Sequence, residues 1–153
     1  MMETMERSQI IAVAQELTTS AAEAFVMSTV TPEGRPHVFW MGAMVFAEPF
    51  VLYMETYQRS RKVAHLKSNP NVELLLSRPD FSRVLTITGK GRLEASPAAK
   101  KMVFDRISAS ADYFSSAEDP NLAVIKVVAE ELRLWTSRDQ REPFVAVLGS
   151  APV

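Results

Sequence analysis

The chain has 153 residues, which suits one domain, 1–153, with a single hydrophobic core. It is 47% hydrophobic and 23% charged with a net charge of -1, so no overall field attracts nucleic acid or an anionic membrane. It contains no cysteine and two histidines, which argues against disulfides, thiolate chemistry and a metal site. No apolar run reaches membrane-spanning length, and the N-terminus lacks a signal-peptide core. We therefore expect a cytoplasmic protein without nucleic-acid or membrane partners.

The first part of the chain predicts one helix followed by three strands. Apolar residues at helical spacing predict an amphipathic helix at about residues 5–18, covering the end of a barrel. Turn residues such as Pro32 and Gly34 separate the segments that follow. Strands are predicted at residues 24–30, 36–46 and 50–55, and we expect them to form an antiparallel meander.

The pattern changes at Ser60, a plausible N-cap for a short helix that ends near Ser68 because of Pro70. The remaining elements are a strand at 72–77, a strand at 82–95, a helix at 97–108, a polar mobile loop at 109–121, a strand at 122–136 and a tail at 137–153 without assigned structure. Gly89 and Gly91 predict a bulge, or a barrel corner where the sheet bends, in the second of these strands. Short antiparallel strands with small inserted helices favour a mainly β fold, a barrel at about 24–136 with peripheral helices.

The segment that carries chemistry is the start of the short helix. A helix N-terminus has unpaired backbone N–H groups and a partial positive charge, and here Ser60, Arg61 and Lys62 stand beside it, with Arg59 close by. This combination predicts an anion site, most naturally for a phosphate. The alternative is a set of solvated surface charges. Surface charges are the more common explanation of such a pattern, but cations at this end of a helix are unfavourable without an anion, which strengthens the phosphate interpretation and leaves both open.

The chain resembles the FMN-binding split-barrel, pyridoxamine 5'-phosphate oxidase-like superfamily. The segments that carry the resemblance are Gly34-Arg35-Pro36-His37-Val38, Ser60-Arg61-Lys62-Val63, Leu66, Asn69-Pro70-Asn71-Val72, Gly89-Lys90-Gly91-Arg92-Leu93-Glu94 and Trp135. The resemblance implies an antiparallel split β-barrel that forms a homodimer, with FMN in a groove built by both subunits. It also implies an FMN-dependent oxidoreductase with a small-molecule redox substrate.

The resemblance further implies roles for particular residues, although it assigns no catalytic one. Arg61 and Lys62 would hold the phosphate with help from Ser60, and Glu55 and Thr56 would lie near the ribityl chain or phosphate. The flavin ring would run beside backbone groups of His37, Val38, Phe39, Trp40 and Met41, and Trp135 would pack on it from the partner subunit. We expect the homodimer to bury apolar strand residues: Val38, Trp40, Val45 and Phe46.

Other interpretations of these residues remain open. His37 is also typical of a polar strand edge and His65 of a helix surface, while Trp40 and Met41 suit a core and Trp135 suits interface packing. The family's C-terminal arginine–histidine motif is missing, since residues 135–141 contain no histidine. Oxidation of pyridoxamine phosphate is therefore not expected, and the chain is more similar to the short general-stress-protein branch. The alternative function is a non-catalytic carrier or sensor of flavin, deazaflavin or haem.

Overall fold

The computed structural model describes residues 4–20 and 24–149. Its elements in chain order are α1 (Arg7–Ser20), β1 (Phe25–Val30), β2 (Pro36–Met41), β3 (Val45–Ala47), β4 (Val51–Tyr57), α2 (Arg61–Ser68), β5 (Asn71–Ser77), β6 (Val84–Leu93), α3 (Pro97–Arg106), α4 (Ser110–Tyr113), β7 (Leu122–Trp135) and β8 (Phe144–Val147). The last residues of the predicted tail, 150–153, lie outside the described residues. None of the described helices is long and apolar enough to cross a membrane.

All eight strands belong to one antiparallel sheet in the order β2-β1-β5-β6-β7-β4-β3, with β8 also paired to β7. The central strand β7 is 14 residues long. One edge of it pairs with β6, while the other pairs first with β4 and then with β8. The sheet is not closed, because β2 and β3 end the path. The predicted mainly β, antiparallel class is confirmed.

The predicted strand at 36–46 is two strands that belong to opposite ends of the sheet. Its first part, β2, pairs with β1, and its last part, β3, pairs with β4. Residues 42–44 carry the chain from one edge to the other. The predicted meander is therefore wrong at its third strand, because β4 pairs with β3 and β7 rather than with β2. The apolar pattern continues through the break, so it did not reveal the change of partner.

The helix α1 covers the barrel core, as the sequence predicts. Ile10, Ala14 and Leu17 are almost completely buried and belong to the same core as strand residues such as Met27 and Ile87. Complete burial of an apolar side chain of this size stabilises a fold by roughly 1.5–3 kcal/mol. The helix is thus an integral part of the core.

The irregularity predicted for β6 is observed as a shift in its register with β7 between Thr88 and Gly89. A Cβ atom at Gly89 would collide with the carbonyl oxygen of Val128, so the close strand approach requires glycine.

The segment 109–121 is not the irregular loop that its polar composition predicts. It contains α4, and Ser110 and Phe114 are buried. The tail likewise contains a strand, β8, which the sequence did not reveal. In both places the order comes from contacts with distant parts of the chain.

Candidate functional site

A cleft with a volume of about 560 Å³ lies where four segments meet. These segments are the β2–β3 connection, the end of β4, the first turn of α2 and the stretch that includes the end of α3 and α4. The cleft is lined by residues 40–44, 55–57, 62, 106–109, 113 and 114. It combines apolar side chains with a lysine, an arginine and a glutamate, so it offers both packing surface and charge.

Lys62 provides the half-buried positive charge of this cleft. Its Nζ donates a hydrogen bond of 3.0 Å to Thr56 Oγ1 and lies 4.8 Å from the centre of the Phe39 ring. No carboxylate of the described residues lies within ion-pair distance of it, and α2 has no acidic residue in its first turn. Burial lowers the pKa of Lys62. The folded chain therefore holds a cation that an anionic ligand would stabilise.

Two contacts join the end of β4 to the segment of the cleft that contains α4. Ser110 Oγ donates a hydrogen bond of 2.6 Å to Glu55 Oε2. The rings of Tyr57 and Phe114 lie 5.2 Å apart between centroids. Burial raises the pKa of the Glu55 carboxyl, and the hydrogen bond from Ser110 acts in the opposite direction with a smaller effect.

The structure brings five of the predicted site residues to the cleft lining: Trp40, Met41, Glu55, Thr56 and Lys62. Phe39 lies beside the cleft because its ring contacts Lys62. Ser60 precedes α2, where its Oγ accepts a 3.4 Å hydrogen bond from Thr56, and it makes no side-chain cap bond to the helix. Arg61 is exposed and outside the lining.

The predicted ring-side residues of β2 alternate between two faces. His37 and Phe39 face α2, where both contact the ring of His65. Val38 and Trp40 face outward and are 68% and 79% exposed. Such alternation is inherent to a strand, so the side chains of His37 and Val38 point to opposite faces of the sheet.

Trp135 lies far from the cleft within one chain. It is opposite Val84, at the end of β7, whereas Leu122 at the start of β7 is opposite the cleft residue Tyr57. The length of β7 separates the two ends by roughly 40 Å at the usual rise of a strand. Trp135 instead lines a second, more open cavity of about 680 Å³ with Leu75 and Phe81.

His65 is not the surface residue that its helix position predicts. It is only 8% exposed, and its Nδ1 lies 2.8 Å from Thr29 Oγ1. The His37 ring lies 5.2 Å away, edge to face. Burial lowers the pKa of His65, and the charges of His37 and Arg61 lower it further. This histidine connects α2 to β1 and does not line the cleft.

Sequence reasoning missed the part of the lining that α3 and α4 supply. The missed residues are Arg106, Ile107, Ser108, Ala109, Tyr113 and Phe114. The available signal was the aromatic pair at 113 and 114 inside an otherwise polar segment. Among the described residues, no group of three or more acidic or histidine side chains is arranged to hold a metal ion.

The sequence model of the pyridoxamine 5'-phosphate oxidase family matches residues 12–136. The chain belongs to this family. General stress protein 26 of Bacillus subtilis (strain 168) is 24% identical over 111 residues, which are 71% of this chain and 76% of that protein. The crystal structure of General Stress Protein 26 from Bacillus anthracis str. Sterne is 28% identical, with a TM-score of 0.70 over 88% of this chain and 98% of the other.

The fold is shared more widely. A protein related to general stress protein 26 from Clostridium acetobutylicum is 18% identical, with a TM-score of 0.77 over 94% of this chain and 97% of the other. A heme binding protein from Mycobacterium smegmatis has a TM-score of 0.71 at 11% identity over 95% of this chain and 60% of the other. An F420 reductase has a TM-score of 0.63 at 20% identity over 77% of this chain and 94% of the other. The predicted split barrel is confirmed.

Proposed function

We propose that the chain binds FMN in the cleft and acts as an FMN-dependent oxidoreductase on a small molecule. The observation that carries this proposal is Lys62, a half-buried cation without an acidic partner among the described residues, fixed on Thr56 at a helix N-terminus. A terminal phosphate would supply the missing negative charge and accept bonds from Lys62 and the first backbone N–H groups of α2.

The other lining residues fit the rest of such a ligand. Apolar side chains at Trp40, Met41 and Met44 offer packing surface for a ring system, and Arg106 adds a second cation. Arg61, exposed on the same helix turn, strengthens the local positive potential. When bound, FMN supplies the redox chemistry, while the protein binds it, orients it and limits the access of water.

We also propose that the protein is a homodimer. The outer face of the sheet carries exposed apolar residues in cross-strand contact, because Val26 is opposite both Trp40 and Leu75. Leu75 also lines the cavity that contains Trp135, so the apolar face continues to the far end of β7. A second copy on this face would cover it and bring its own Trp135 toward the cleft.

Two residues expected at the dimer interface do not support it. Val45 is buried beneath α3, and Phe46 packs on Phe50 at 5.1 Å between ring centroids. Their apolar character serves the core, so the proposed interface depends on Val38 and Trp40 instead.

A haem or deazaflavin carrier is the competing function, since the fold occurs in a heme binding protein and in an F420 reductase. No histidine of the described residues lines the cleft, so an axial haem ligand of that type is missing there. Both histidines contact each other behind Phe39 instead. The cleft therefore favours a phosphorylated flavin over haem.

The test is a parallel titration of the purified protein with FMN, riboflavin, haem and a deazaflavin, followed by light scattering. We expect FMN to bind most tightly, riboflavin to bind weakly and the FMN complex to have the mass of a dimer. A substrate screen then follows loss of the visible flavin absorbance under anaerobic conditions. Preference for haem, or a monomeric protein that still binds FMN tightly, would contradict the proposal.

A further inference from the structure

Lys62 and His65 lie three residues apart on α2, so they are on the same side of this helix. Both contact the ring of Phe39 on β2. Lys62 Nζ lies 4.8 Å from the centre of that ring, and the ring centre of His65 lies 6.1 Å from it. The side of α2 that carries the proposed phosphate ligand therefore also carries a histidine that packs on the same aromatic ring.

His65 attaches this side of α2 to the sheet. It is almost completely buried, and its Nδ1 lies 2.8 Å from Oγ1 of Thr29, which is fully buried on β1. Its backbone oxygen accepts a hydrogen bond of 2.9 Å from the amide of Asn69 at the end of the helix. A helix of eight residues is not stable alone in water, so α2 depends on its contacts with the sheet. The buried side chains that make these contacts are Val63, Leu66 and His65, and His65 is polar.

The groups around His65 disfavour a proton on its ring. The ring of His37 lies 5.2 Å away, edge to face, and Arg61 lies four residues earlier on α2. Burial lowers the pKa of His65 most, and the charges of His37 and Arg61 lower this pKa further. The charge of Glu33, in the turn between β1 and β2, acts in the opposite direction.

The strands on which α2 packs are β1 and β6. The sequence of β1 contains no charged residue, and its contact with His65 is the neutral hydroxyl of Thr29. The charged residues of β6 are Lys90 and Arg92, which pair with Glu130 and Glu94. The neutral ring of His65 is therefore the form that the folded chain accommodates.

We propose that His65 is a positioning residue for Lys62: its neutral ring holds α2 against β1 and β2, and its protonation in mild acid loosens this hold. Lys62 and the first N–H groups of α2 then lose their fixed arrangement, so an anion binds more weakly. His65 acts through the helix and Phe39, because it does not line the cleft. This inference rests on the proposed function, since Lys62 is the residue that carries it.

The direction of the pH effect distinguishes this role from direct contact with the anion. A histidine that touched the phosphate would bind it more tightly when protonated, so acid would strengthen binding. For a positioning residue the sign is reversed. Because the pKa of His65 is lowered in the folded chain, the hold is complete above pH 6.5 and weakens as the pH falls from 6.5 to the lowered pKa.

Two variants isolate the titration of His65. His65→Asn keeps an amide that can form a hydrogen bond with Thr29 Oγ1, but this amide takes up no proton in mild acid. His37→Asn removes the neighbouring ring and leaves His65 in place. Because the sequence contains two histidines, these variants account for every imidazole of the chain. His65→Gln replaces His65→Asn if that variant does not fold.

The experiment measures FMN affinity at about pH 7.5 and about pH 5.5, on either side of the ordinary histidine pKa. Protonation of the FMN phosphate affects all variants alike, so the informative quantity is the change relative to His65→Asn. We expect the wild-type affinity to fall about ten-fold more than that of His65→Asn, the effect of losing one hydrogen bond to a charged group. In His37→Asn the fall should be smaller than in the wild type, since one neighbouring charge is gone.

Hydrogen exchange of the ligand-free proteins tests the hold on α2 without a flavin. The Asn69 amide, which donates to His65 O, should lose protection in the wild type between the two pH values and keep it in His65→Asn. The Ile107 amide is the internal control, because it donates to Val103 O at 2.9 Å at the end of α3, and it should keep its protection.

Three results would overturn the positioning role. They are an equal fall of FMN affinity in the wild type and His65→Asn, tighter binding by the wild type in acid relative to His65→Asn, and unchanged protection of Asn69 in the wild type. The proposed function fails separately. If acid loosens α2 in the wild type but the protein does not bind FMN at either pH, the proposed function is overturned and the hold of His65 on α2 is confirmed.

Discussion

Replacement of Lys62 by methionine separates the phosphate role of this residue from a structural role. Methionine is unbranched and apolar, so it can fill the space of the lysine side chain, while the charge that lies over the Phe39 ring is lost. A hydrogen bond to a charged group is worth roughly 1.5–3 kcal/mol, and Lys62→Met should therefore weaken FMN binding by about ten-fold to a hundred-fold. Riboflavin has no phosphate, so its affinity should hardly change.

The assay is quenching of flavin fluorescence during titration, with unfolding of the ligand-free proteins measured in parallel. Lys67→Met is the matched control, because Lys67 is an exposed lysine on the same helix. It should bind FMN as the wild type does. The ligand-free Lys62→Met protein should be no less stable than the wild type, since the substitution removes a half-buried charge without an acidic partner among the described residues. Equal weakening of FMN and riboflavin would refute the phosphate assignment.

The pH dependence has a defined sign. Because the pKa of Lys62 is lowered in the folded state, the unfolded chain binds this proton more tightly, and the charge is unfavourable to folding at neutral pH. Wild-type stability relative to Lys62→Met should therefore rise as the pH increases from the lowered pKa toward 10.5. FMN affinity should fall over the same alkaline range, because the deprotonated amine no longer attracts the phosphate. Lys62→Met should show neither change.

Three further outcomes are expected. The pKa of Glu55 is raised above 4.5 in the folded state. The stability of the wild type relative to Glu55→Gln should therefore be highest below pH 4.5 and should fall as the pH rises through the folded pKa. Thermal unfolding at several pH values measures this difference. Thr29→Val should destabilise the fold by about 1–3 kcal/mol in denaturant unfolding, since buried His65 loses its partner; an unchanged midpoint would contradict this. Val38→Asp should give monomers in light scattering, whereas an intact dimer would place the interface elsewhere.

The start of α2 was predictable because its signals are local. Ser60 before the helix, Pro70 after it and the neighbouring cations all lie within a few turns, and the observed helix Arg61–Ser68 follows them. An irregularity at Gly89, either a bulge or a barrel corner, was predictable for the same reason, since a glycine inside a strand often marks such a site. These local features are sufficient to predict the cation site at Lys62.

Features that depend on distant partners were not predictable. Strand β4 pairs with β7, about seventy positions later in the chain, and the alternating pattern of a strand says nothing about its partner. Ser110 looks like a loop residue until Glu55 is found beside it, 55 positions away. His65 is a polar residue on a short helix, and its burial depends on Thr29 in another element. Ser110 and His65 are both polar side chains whose partners lie in distant parts of the chain.

The open end of the cleft and the exposed face of the sheet are both explained by the proposed second copy of the chain. Trp40 lines the cleft and is nevertheless 79% exposed, on an edge strand whose outward neighbour Val38 is also exposed. A large aromatic side chain on an uncovered sheet edge is a liability for a monomer. In one chain the Lys62 end of the cleft is built, whereas the ring end beside Trp40 is open, and Trp135 is too distant along β7 to close it. A second copy on the outer face would bury Trp40 and supply that closure, so the proposed dimer and the proposed ring site are one structural requirement.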